Sequence, residues 1–135
     1  MEKKQQEKQE SLVELGDKVK GQIELPKIDV KPYIGKAVKI EKVEEHKGEY
    51  GYYIMIITEV VDTLPGKDTP ITIRANRMFG LQENEKGEIG WGAETQLAVY
   101  LKKMGVLHYR DLVGKEVICQ TTTSKKDGKD YLTFN

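Results

Sequence analysis

Apolar and polar residues alternate along Ala37-Val-Lys-Ile-Glu-Lys-Val-Glu-Glu45, the period of a strand with one face in a core. Val38 and Ile40 are in phase, but Val43 follows three residues later, which predicts a bulge near Glu41–Lys42. Lys47-Gly-Glu-Tyr-Gly51 reads as a hairpin loop. The next run, Tyr52 to Val61, is β-branched and aromatic and predicts a second strand. Its middle is apolar on both faces, so it is expected at the centre of a sheet or with one face covered by a ligand or partner. Pro65-Gly66-Lys67-Asp68 turns the chain. A third strand follows over Ile71–Phe79, with Ile71, Ile73 and Ala75 on one face and Thr72, Arg74 and Asn76 on the other. Phe79 shares the parity of Ile73, which puts it in the core.

The period then changes. Gly80 to Gly92 reads as a glycine-rich loop around Trp91. Glu94 to Met104 reads as a helix, with Leu97, Tyr100, Leu101 and Met104 as its apolar stripe. Glu94 at its start and Lys102 and Lys103 at its end suit the helix dipole, and Gly105 is placed to cap it. His108 to Val113 is one irregular turn. Glu116–Thr123 and Tyr131–Phe134 are predicted as strands four and five, joined by a hairpin with Asp127-Gly128 at its tip. Upstream, residues 1–20 are charged, with Leu12, Leu15 and Val19 on one helical face. A solvated tail and a short docking helix are both open readings. Gly21, Pro26 and Pro32 mark residues 21–35 as a linker or lead-in, with a short extended piece at Gln22–Leu25. The domain itself is expected over residues 36–135.

The resulting order is β-β-β-α-β-β. A meander, a helix and a hairpin in that order predict an all-β fold with one helix, a five-stranded Greek-key barrel of OB type. A bulged first strand can pair at both ends and bend the sheet towards closure. The run "AETQLAVYLKKMGVLHYRDLVGKEV", followed by "SKKDGKDYLTF", resembles the second half of small OB-fold proteins of archaea and phages that bind single-stranded nucleic acid. The shared pattern is an amphipathic helix, a glycine cap followed by hydrophobic residues, and Asp-Leu-Val-Gly-Lys-x-Val opening strand four. The resemblance covers roughly residues 36–134. It implies single-stranded DNA as ligand, ahead of RNA, and a place in DNA replication or repair.

Composition narrows the classes. With 38% apolar and 33% charged residues, the 135-residue chain can bury one core. The formal net charge is zero, which argues against a strongly basic nucleic-acid binder but leaves room for a local patch. No apolar run is long enough to cross a membrane, and the charged N-terminus does not read as a signal peptide. Cys119 is alone, so no internal disulfide is expected and the cytoplasm is the expected compartment.

Catalytic signatures are missing. His46, His108 and Cys119 are too far apart in sequence for a usual zinc spacing, and no phosphate loop or dinucleotide fingerprint is present. No enzyme activity, metal or cofactor is expected. The acidic pairs Glu44-Glu45 and Glu83/Glu85 read as solvated faces.

An OB barrel binds across strands two and three, flanked by two hairpin loops. Stacking needs aromatic plates, and phosphates need cations. The candidates are Arg74 and Asn76 on strand three, Lys47, Tyr50 and Tyr53 at the first hairpin, Trp91 in the long loop, and Lys125, Lys126, Lys129 and Tyr131 at the last hairpin. Arg74 ranks first, because an arginine amid an exposed strand face suits a phosphate or a base. Tyr52 and Tyr53 point to opposite faces, so at least one is expected in the core. Trp91 either lines the groove or covers the barrel end. The competing reading is an OB-type protein-interaction module or a subunit of a larger complex, with self-association or a partner held through residues 1–20 or the second strand. The zero net charge and the two-sided second strand favour that alternative. The sequence stops at strand five, so recruitment is expected at residues 1–20 rather than through an acidic C-terminal tail.

Overall fold

The computed structural model describes residues 28–135; the charged N-terminal segment and the Gln22–Leu25 piece lie outside the described residues. The strands are β1 (Ala37–Gly48), β2 (Gly51–Leu64), β3 (Ile71–Gly80), β4 (Gln82–Glu83), β5 (Ile89–Gly90), β6 (Glu116–Thr123) and β7 (Asp130–Phe134). Helix α1 spans Gln96–Met104, between β5 and β6.

Five strands form one antiparallel sheet in the order β3-β2-β1-β6-β7. β1 serves both halves: its first residues pair with β6 and its remainder with β2. The predicted bulge lies between Ile40 and Lys42, where the β1–β2 register shifts past Glu41. The bend there lets one strand face two partners. β2 shifts register twice more against β3, between Ile57 and Val60 and between Val60 and Asp62. These bulges increase the coiling of the sheet, which brings its two edge strands together. Among the described residues no β-ladder joins β3 to β7. Arg77 spans the gap instead, donating to the Phe134 carbonyl at 3.3 Å.

One side of the coiled sheet buries Ile40, Ile54, Ile56, Ile73, Ala75 and Phe79. β6 and β7 add Val117, Cys119, Leu132 and Phe134 to the same core. Helix α1 covers it with Leu97, Tyr100 and Leu101. Thr95 caps that helix, its Oγ1 accepting from the Ala98 N–H at 3.3 Å and donating to the Gly92 carbonyl at 2.8 Å. The cap moves the helix start to Gln96, two residues past the expected Glu94, because Thr95 already holds the orphan N–H. At the other end Gly105 takes φ 73°, and Val106 N–H returns to Leu101 O at 3.0 Å.

Two expectations are corrected. The Gly80–Gly92 stretch is not all loop: β4 and β5 pair through Gln82–Gly90 and Glu83–Ile89. Asn84 organises their turn by accepting the Lys86 and Glu88 N–H groups on its side-chain oxygen. The element order is therefore longer than β-β-β-α-β-β by this small hairpin. Residues 28–35, expected as linker, are part of the fold. Val30 is buried, Tyr33 donates its hydroxyl to Asp62 at 2.7 Å, and Gly35 N–H reaches the Cys119 carbonyl at 2.8 Å. Among the described residues no helix is long and apolar enough to cross a membrane.

Candidate nucleic-acid interface

Register fixes what the outer face of the β1–β2–β3 meander displays. Opposite residues form three rows: Lys42, Ile57 and Asn76; Glu44, Met55 and Met78; His46, Tyr53 and Gly80. Met78 is 60% exposed, and nearby Val60 is 43% exposed, so an apolar strip faces outwards beside Asn76. Tyr53 carries His46 stacked on it at 5.2 Å with 23° between the rings. Sequence parity placed Asn76 on this face. Met78 has the same parity, and its phase with Asn76 is the sequence signal for its place on this face.

Between β3 and the β6–β7 hairpin lies an open cleft of about 700 Å³. Asn76, Met78, Lys126 and Tyr131 line it, together with Gln120 and Thr122 from β6. Three of the expected residues, Asn76 from β3, Lys126 from the β6–β7 turn and Tyr131 from β7, thus converge on one space. Tyr131 is 47% exposed, and its hydroxyl donates to Asp127 Oδ2 at 2.6 Å. That bond is the first cause holding the Asp127 carboxyl below the ordinary carboxylate range and the Tyr131 phenol above its own. Gly128 at φ 69° closes the tip, and Lys129 N–H reaches Asp127 Oδ1 at 3.0 Å. Lys125 and Lys129 are exposed beside this cleft.

The remaining candidates lie elsewhere. Arg74 is on the expected outer face, but its guanidinium is engaged by the Glu41 carboxylate and donates to Thr58 O at 3.0 Å. Glu41 is the bulged residue of β1, so the bulge and the pairing of Arg74 are one feature. The acidic pair Glu44-Glu45 is partnered in the same way. Glu44 meets Lys42 and His46, each at 3.3 Å, and Arg110 donates to Glu45 at 3.1 Å. Tyr50 stands 98% exposed at the β1–β2 turn. Lys47 and Trp91 line a second cleft, between that hairpin and the turn that starts at His108. Tyr52 and Tyr53 are both half-buried, on opposite faces. Phe79 and Tyr100 are core, and burial pushes the Cys119 thiol up, which makes it an inert neutral group.

Comparison with known proteins finds no matching family model, no matching curated protein and no matching solved structure.

Proposed function

We propose that this protein binds single-stranded DNA across the outer face of β2 and β3 and into the cleft beside the β6–β7 hairpin, as a five-stranded OB-type barrel inside the cell. The observation that carries the reading is the convergence of Asn76, Lys126 and Tyr131 on that cleft, next to the exposed Met78. An exposed phenol offers a π-face for a base, an amide offers donors and acceptors for base edges, and a lysine offers charge to a phosphate. Tyr131 is pre-aimed by its bond to Asp127, which lowers the entropy lost when a base stacks on it. The strand order β3-β2-β1-β6-β7, with Arg77 tying the two edges, supports the barrel part of the proposal.

A protein-interaction module is the second reading. It is favoured by the pairing of Arg74, Lys42 and Arg110 with carboxylates, which leaves the meander face close to neutral and partly apolar. Fluorescence anisotropy of labelled oligo-dT at low salt, repeated at high salt, separates the two. Saturable binding that weakens with salt, and weakens further in Tyr131→Ala, supports the DNA reading. No binding up to about 100 μM, with a mobility assay agreeing, leaves the interaction module.

A further inference from the structure

The second cleft shares no lining residue with the first. It encloses about 440 Å³, within the size range of small-molecule sites. Its walls are rich in π-surface. Trp91 is half-buried, packed edge-on against His108 at 5.1 Å and 76°, with Tyr52 on the β1–β2 side. The charges are uneven. Arg110 and Glu45 neutralise each other at 3.1 Å, while Lys47 lies 5.4 Å over the Tyr52 ring and has no carboxylate partner among the described residues. One positive charge therefore stays uncompensated at the cleft. His108 accepts the Arg110 N–H on Nδ1 at 3.1 Å, so the neutral ring carries its proton on Nε2, as a donor.

We propose that this cleft binds a nucleobase together with its phosphate. Aromatic walls select a flat ring, since every base has a π-face to stack. The surplus positive charge selects an anion beside that ring and disfavours a cationic guest. The Glu45 carboxylate, the one acid lining the cleft, is already held by the Tyr109 hydroxyl and then by Arg110, which keep it below its ordinary range. A free mononucleotide and the phosphorylated end of a strand present the same chemistry. The inference goes beyond the single-strand cleft and does not depend on it.

Trp91 is the only tryptophan of the chain, so its emission reports on this cleft directly. Titration of the full chain with dTMP and with dAMP is expected to change that emission saturably, whereas ribose 5-phosphate and inorganic phosphate leave it unchanged. Lys47→Ala is expected to weaken dTMP binding about tenfold, the loss of one charge-assisted contact, and Lys47→Arg to restore it. Lys47 is exposed, so both variants keep the fold. Amide shifts on adding dTMP should fall at Ile89, Gly90 and His108 and spare Asn76 and Tyr131. Displacement of dTMP by a 5′-phosphorylated oligo-dT assigns the site to strand ends; failure to displace it assigns the site to free nucleotides. No saturable response up to about 10 mM, an equal response to ribose 5-phosphate, or a Lys47→Ala variant that binds as tightly as the parent overturns the proposal. A Trp91 response to dTMP in a protein that fails to bind oligo-dT by anisotropy would leave this site standing and remove the proposed function.

Discussion

Between Ile57 and Val60 the β2–β3 ladder loses register, and the Ala75 N–H meets the Thr58 hydroxyl at 3.0 Å instead of a backbone carbonyl. The same hydroxyl donates to the Glu59 carbonyl at 2.9 Å. Thr58 is fully buried, so its side chain supplies hydrogen bonds where water does not reach. Thr58→Val keeps the shape and strands that N–H. It is expected to lower stability by about 1–3 kcal/mol in urea unfolding, with Thr58→Ser less affected. A neutral Val variant would show that the bulge can relax to another partner. Arg74 is the neighbouring case. Its ion pair with Glu41 is partly exposed and contributes roughly 0–1 kcal/mol to stability. Its greater effect is to withhold a cation from the outer face. Glu41→Gln should therefore tighten oligo-dT binding at low salt, while Arg74→Ala should change it less than Lys126→Ala does; anisotropy at two salt concentrations reads both. Sequence parity identified the exposed position of Arg74 but not its partner. Glu41 lies 33 residues away on a strand that is not adjacent to β3, and only the bulge brings the two side chains together.

At the scale of elements, long periodic stretches were legible and short ones were not. β1, β2, β3 and β6 each run eight residues or more, long enough for alternation in β1 and β3 and for a β-branched, aromatic run in β2 to declare themselves. β4 and β5 have two residues each, too few to show a period, and are held by the Asn84 turn rather than by an apolar face. The lead-in at 28–35 was obscured by Pro32, which breaks a strand or helix but permits the short helical turn Lys31–Tyr33. The β6–β7 hairpin was legible as Asp127-Gly128, yet the sequence did not reveal that Asp127 restrains Tyr131. That restraint has a pH signature. The Asp127 carboxyl is lowered from 3.8, so its stabilisation is present above that value and lost as pH falls through the depressed one. The Tyr131 phenol is raised from 10.0, so its share is present below that value and lost as pH rises through the raised one. The tether thus spans the whole neutral range. In Tyr131→Phe the Asp127 carboxyl, followed by carbon NMR, should titrate closer to 3.8, with Lys129 N–H still holding part of the shift. An unchanged titration would mean that the phenol does not hold the carboxylate in solution.

For the whole molecule, zero net charge and a nucleic-acid face are compatible only if the cations are distributed unequally between paired and free states. Arg74, Lys42 and Arg110 are paired, on or beside the meander face. Lys125, Lys126 and Lys129 gather at one hairpin, and no ion pair joins them to a carboxylate among the described residues. The sequence ranked Arg74 ahead of these hairpin lysines, because a strand pattern places a charge on a face without showing its partner. The distribution predicts a shallow salt dependence. Three phosphate contacts on a single strand give a slope of about −2 for log K against log salt. Replacing all three lysines by Gln should flatten it towards zero, while stacking on Tyr131 leaves residual affinity of about 1–3 kcal/mol. A slope steeper than about −4 in the parent would require Arg74 and its paired neighbours to exchange carboxylates for phosphates on binding. In that case Glu41→Gln would change affinity while leaving the slope nearly constant, because the arginine would reach the phosphate in either protein. Measuring the slope in the parent, the triple-lysine variant and Glu41→Gln therefore distinguishes a face that binds through its free hairpin from one that binds by breaking its own ion pairs.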